Sequence, residues 1–151
     1  IGGAAGAFPP LIGWLSVTNS LDVLPLLMFL IIFMWTPPHF WALSIHCLKD
    51  YKSAGFPMLP VISGVKKTKE QIVIYSVLMF LITLLPFFLG YFGIFYLLTS
   101  IILGLYFIYH SFKVYLDKSN KDKPIKMFLY SIIYLYILFL SMIIDHLNLF
   151  A

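Results

Sequence analysis

Arginine is absent from this chain, cysteine occurs once, and only 11% of its 151 residues carry charge. A soluble domain would be about one quarter charged, so a mainly water-exposed surface is excluded. The single thiol, Cys47, cannot close an internal disulfide, and a cluster of metal-binding thiolates is ruled out. Sustained apolar–polar alternation is also missing, which argues against an outer-membrane β-barrel. Internal repeats and low-complexity segments are lacking too.

The chain is instead rich in apolar residues, at 62%, with a mean hydropathy of +0.98. They gather in runs of about 20, long enough to cross a hydrocarbon core. The predicted class is an all-α polytopic membrane protein, with spans over about 1–16, 24–48, 71–89, 94–112 and 127–144. The first stretch reads as the interior of something already packed, because Gly2, Ala5, Gly6 and Gly13 suit close helix contact. A preceding N-terminal part is therefore expected. Pro9–Pro10 should bend or interrupt the first span, Pro37–Pro38 break the second, and Pro86 bend the third.

All ten cationic side chains are lysines, five between Lys49 and Lys69 and five between Lys113 and Lys126. Alternating the spans across a bilayer puts loops 49–69 and 113–126 on one side, and turns 16–22 and 90–93 on the other. Every lysine then falls on the first side. Short basic loops between spans follow the positive-inside rule rather than nucleic-acid binding. The lysine-rich side is expected to be the cytoplasm or matrix, with the C-terminus opposite. The aromatic share of 19% suits interface anchoring and packing, or the lining of a greasy ligand site.

Polar chemistry concentrates between Trp35 and Val61, where prolines, His39, His46 and Asp50 occur within and just beyond an apolar run. Ionisable groups at such depth are costly and point to function. Steps of three and four place residues 39, 43, 46 and 50 on one helical stripe, which could join a deep pocket to a polar mouth. Asp50 has two readings. It is a solvated loop acid beside Lys49 and Lys52, or a Mg²⁺ ligand at the membrane surface while the lysines hold a phosphorylated substrate.

Three motifs then carry a resemblance. G-A-F-P-P-L-I-G-W (Gly6–Trp14), W-T-P-P-H-F-W-A-L (Trp35–Leu43) and K-D-Y-K-S-A-G-F-P-M-L-P-V (Lys49–Val61) occur in this order. Together they resemble the haem O synthase branch of the UbiA prenyltransferase superfamily. The resemblance implies a helical bundle around a central cavity capped by two acidic loops. Residues 1–151 would be the C-terminal part of one membrane-embedded prenyltransferase domain, in the bacterial cytoplasmic membrane or mitochondrial inner membrane. Many superfamily members carry D-x-x-x-D in the second loop; here position 54 is Ala54, so Asp50 alone matches.

The implied reaction joins the farnesyl group of farnesyl diphosphate to a vinyl group of haem b, with a possible downstream haem-modifying enzyme as partner. The implied roles are Asp50 for Mg²⁺, Lys49 and Lys52 for diphosphate, and Tyr51 for a phosphate oxygen. His39 would serve the haem side, as iron ligand or proton shuttle, with Phe40, Trp41 and His46 toward haem or the prenyl chain. Rivals are a related enzyme acting on another aromatic or tetrapyrrole acceptor, a transporter with proline-broken helices, and a structural subunit of a respiratory complex.

Overall fold

The computed structural model describes residues 2–119 and 122–149. The first residue of the expected opening span, and Asn120 and Lys121 of the expected second basic loop, lie outside them. Two short helices, α1 (Gly2–Ala7) and α2 (Pro9–Thr18), precede the long α3 (Val23–His46). Two more short ones follow, α4 (Leu48–Ser53) and α5 (Leu59–Ile62). The long α6 (Gly64–Phe88), α7 (Ile94–Leu116) and α8 (Asp122–Leu149) complete the chain. Four helices are long and apolar enough to cross a membrane: α3, α6, α7 and α8 up to Leu147.

The long helices form a closed cycle. α3 packs on α6, α6 on α7, α7 on α8, and α8 returns to α3. Ile31, Ile72, Met79, Tyr96, Phe107, Tyr134 and Leu138 fill the centre. The α6–α7 contact depends on Gly104, where an added Cβ would lie 2.2 Å from the Phe80 ring. Small residues at helix interfaces permit this close approach. Buried hydroxyls bond back to their own helices, as Ser76 does to the Ile72 carbonyl and Ser141 to the Leu138 carbonyl. The hydroxyl of Tyr96 instead crosses between helices to the Thr83 carbonyl at 2.7 Å.

The proline pair does not break the second span. Pro37 and Pro38 lie inside α3, which runs unbroken to His46. Both lack the N–H that would bond four residues back, yet packing against neighbouring helices keeps the backbone helical. The Thr36 hydroxyl adds a bond to the Ile32 carbonyl at 2.8 Å. The first span does divide, at Phe8, immediately before Pro9. Between 49 and 69 the chain is largely helical instead of a plain loop, and α6, α7 and α8 reach beyond their apolar cores. Hydropathy marks the part of a helix that fits in lipid, whereas backbone bonding continues into the polar layer.

The helices sort the polar segments to opposite ends. Lys69 on α6 donates a hydrogen bond to the Asp117 carbonyl just past α7, so the two lysine-rich stretches meet. At the other end, Trp14, Asp22, Tyr91 and His146 line one hollow.

Candidate functional site

The segment Leu48–Pro57 explains its own spacing. After a one-residue interruption at Cys47, α4 forms because the N–H groups of Asp50 and Tyr51 both bond the Cys47 carbonyl at 3.1 Å. Gly55 adopts a left-handed φ of +66°, a conformation costly for a residue with a Cβ. The Gly55 N–H then bonds Lys52 at 3.3 Å, and the Phe56 N–H bonds Tyr51 at 3.0 Å. These paired bonds form a Schellman cap, and the Tyr51 and Phe56 rings supply its apolar contact at 6.2 Å. Pro57 prevents the helix from resuming. K-D-Y-K is therefore a fixed helical turn presented at the end of the bundle.

Lys49, Asp50 and Lys52 are exposed, and Tyr51 is half-buried. A hollow of about 340 Å³ opens beside Cys47, Asp50, Tyr51, Ala54 and Phe56. Among the described residues, no three His, Cys, Asp or Glu side chains gather in a way that could hold a metal. Magnesium commonly takes one or two carboxylates and completes its shell with substrate phosphate oxygens and water. The exposed Asp50 carboxylate is a hard oxygen donor that fits one such position.

His39 has a different setting. It is buried at the α3–α8 contact, with its ring between Trp35 at 4.2 Å and Phe128 at 4.5 Å. Its Nδ1 lies 2.6 Å from the Ser131 hydroxyl, which lies 2.6 Å from the Phe128 carbonyl. Two acceptor oxygens do not approach so closely without a proton between them, so Ser131 donates to Phe128. The short contact to His39 then requires the proton to be on Nδ1. In the neutral ring, Nε2 then keeps its lone pair. Trp35 braces the same turn of α8 by donating to the Ser131 carbonyl at 2.9 Å.

The other sequence-derived candidates separate. Phe40 is exposed and meets His39 edge-on at 5.2 Å. Trp41 turns to α6 and packs edge-on against Tyr75 at 5.2 Å. His46, the last residue of α3, is exposed at the lysine-rich end. Sequence reasoning missed Ser131, Phe128 and the partnership of Trp35 with His39. Ser131 lies 92 residues from His39, and no periodicity within one helix could pair them.

Trp35 also lines an apolar hollow of about 370 Å³ between α3 and α8, with Ile32, Ile132, Leu135, Tyr136 and Phe139. The arrangement thus has a charged turn at the bundle end, a buried histidine with a defined tautomer, and an apolar recess adjoining that histidine through Trp35.

The profile of the UbiA prenyltransferase family matches residues 1–133. The protoheme IX farnesyltransferase of Neorickettsia sennetsu is 52% identical over 145 residues, covering 96% of this chain and 47% of that protein. The protein of the same name from Rickettsia bellii is 51% identical over 140 residues, covering 93% and 47% respectively. That from Granulibacter bethesdensis is 48% identical over 153 residues, covering 96% and 48%. The chain thus spans about half the length of these curated relatives. No solved structure shows significant similarity to it.

Proposed function

The chain belongs to the UbiA prenyltransferase family, and from that premise we propose that the full-length protein makes haem O from haem b and farnesyl diphosphate. A vinyl carbon of haem forms the bond to the first farnesyl carbon, and water supplies a hydroxyl to the neighbouring carbon. Diphosphate and one proton leave. The observation that carries this reading is the capped Lys49–Lys52 turn, which offers cations and a carboxylate together at one end of an apolar bundle.

Lys49 and Lys52 attract and orient the diphosphate, and the Tyr51 hydroxyl is placed to bond a phosphate oxygen. Asp50 holds Mg²⁺, which supplies neutralisation of the departing diphosphate when bound. Phe40, exposed beside His39, can offer an aromatic face to positive charge developing on the allylic carbons, whereas Trp41 is turned against Tyr75 on α6. His39 serves the acceptor side through Nε2, because Ser131 engages Nδ1; that lone pair can bind haem iron or take the proton that the adding water gives up as its oxygen bonds the neighbouring carbon. His46 lies between these groups along the chain, at the foot of α3. The apolar recess beside Trp35 suits the prenyl tail or a porphyrin edge.

The lysine-rich end is placed on the cytoplasmic or matrix side of a bacterial cytoplasmic or mitochondrial inner membrane. A haem-modifying enzyme would act next on the product. Cysteines introduced at Ser53 and Ser119, in a Cys47-free background, should react with an impermeant thiol reagent from that side only. A cysteine at Tyr91 should react from the opposite side, and labelling of 53 and 119 from opposite faces would overturn this topology.

The activity is tested by supplying the full-length protein in lipid with farnesyl diphosphate, Mg²⁺ and either haem b or an aromatic quinone precursor. Haem b should become a more retained, farnesylated haem on reversed-phase chromatography. Prenylation of the quinone precursor with haem left untouched would sink the haem assignment while retaining the family chemistry.

A further inference from the structure

At the lysine-rich end, the start of α6 and the end of α7 border an open hollow of about 470 Å³ whose lining shares no residue with the Lys49–Lys52 turn. Lys66, Lys69 and Lys118 line it together with Asp117, Val65 and Tyr115. Lys69 is only 7% exposed, and its ammonium donates to the Asp117 carbonyl beyond the end of α7. Lys66 and Lys118 are exposed. The Asp117 carboxylate accepts hydrogen bonds from the Ser119 N–H and hydroxyl. Three ammonium groups against one carboxylate leave the cavity positive.

The backbone adds to this bias. Lys66 belongs to the first turn of α6, whose N-terminus has no side-chain cap, and uncapped N–H groups favour an anion. Carbonyls at the end of α7 would oppose one, but Lys69 covers the Asp117 carbonyl.

The position favours a lipid over a soluble anion. Both helices are long and apolar enough to cross the bilayer, so a cavity at their ends lies at headgroup depth. Ile74 and Leu81 on α6, and Leu105 and Phe112 on α7, are exposed apolar side chains suited to contact with acyl chains. Tyr115 is 41% exposed, as suits an aromatic residue at the interface. Basic pockets between membrane helices are suited to anionic headgroups. We propose that this cavity binds the phosphate group of an anionic phospholipid, at a site separate from that of the prenyl diphosphate.

The test uses the full-length protein in neutral detergent, titrated with cardiolipin, phosphatidylglycerol or phosphatidylcholine and read by native mass spectrometry. The anionic lipids should bind well above phosphatidylcholine. Lys66→Gln with Lys118→Gln should weaken that binding by about 25-fold, or roughly fivefold per lysine. These substitutions are at exposed positions, and an unchanged circular dichroism spectrum and melting temperature would confirm the fold. Lys123→Gln with Lys126→Gln removes the same charge outside the cavity lining and should change binding less than twofold.

Equal losses in the two double variants would reduce the effect to general surface attraction and overturn the site. Binding of inorganic diphosphate instead of lipid, lost in Lys66→Gln/Lys118→Gln, would move the phosphate source from membrane to solution and overturn the lipid assignment.

Discussion

Asp50 and Asp145 stand near opposite ends of the helical bundle, and their surroundings differ in every respect that matters. Asp145 is 4% exposed, and its two oxygens accept the backbone N–H groups of Gly93 and Tyr96 at the start of α7. It caps a helix whose N-cap residue, Gly93, lies 52 residues away in sequence, and it opposes the positive end of that helix dipole. Asp50 is exposed between two exposed lysines, on a turn whose backbone is already satisfied. One carboxylate is consumed by the fold, whereas the other is held out to solvent by it. An acid in a membrane protein therefore suggests chemistry only after its backbone debts to neighbouring helices have been counted.

The largest separation of the two should come from Asp50→Asn in the full-length protein. Loss of the carboxylate proposed to hold the metal should lower turnover by about 10²–10⁴-fold, with haem binding and melting temperature unchanged. Near-normal turnover would make Asp50 a solvated surface acid, and the contrast with Asp145 would lose its functional half.

Asp145→Ala should act on stability instead. It strands two N–H groups at the start of α7, at a cost of about 2–3 kcal/mol, read as a lower melting temperature in detergent. Asp145→Asn keeps one acceptor and should recover part of the loss. If Asp145→Ala melts like wild type but loses turnover, the assignments of the two aspartates are reversed.

Ser131→Ala probes the buried histidine between these ends. It removes the acceptor that holds the His39 Nδ1 proton, so ring orientation should loosen and haem affinity fall by about tenfold, or ~1.4 kcal/mol. The KM for farnesyl diphosphate should stay within twofold, and Ser131→Thr should restore haem affinity. An equal change in both substrates would assign Ser131 to general packing.

The smallest effect is expected from Lys49→Ala and Lys52→Ala, because both ammonium groups lie in water. Each should raise the KM for the diphosphate by about fivefold at low salt, and the difference should shrink at high salt through screening. A salt-independent loss of kcat would instead place these lysines at the reacting bond.

Much of the charged end was legible before folding was considered. The lysine asymmetry separates the two ends, and the structure joins Lys69 to Asp117 at one of them. Gly55-Phe56-Pro57 also carried a readable helix-stop signal, although the segment reads at first as loop: glycine supplies the left-handed cap and proline prevents continuation. The continuity of α3 through Pro37–Pro38 was less accessible, because proline's local cost is fixed by its covalent structure while its tolerance depends on neighbouring helices.

Three features are written in the chain alone: its apolar helices, the grouping of its lysines into two stretches that alternation puts on one side, and motifs that match a family. Each of these follows from local composition, length or order along the chain. Tertiary structure alone decided that Ser131 would set the His39 proton, that Asp145 would cap α7, and that Lys66, Lys69 and Lys118 would share a cavity. Those relations join residues on different helices, and their partners are selected by packing distance and by the need to satisfy polar groups where water is scarce.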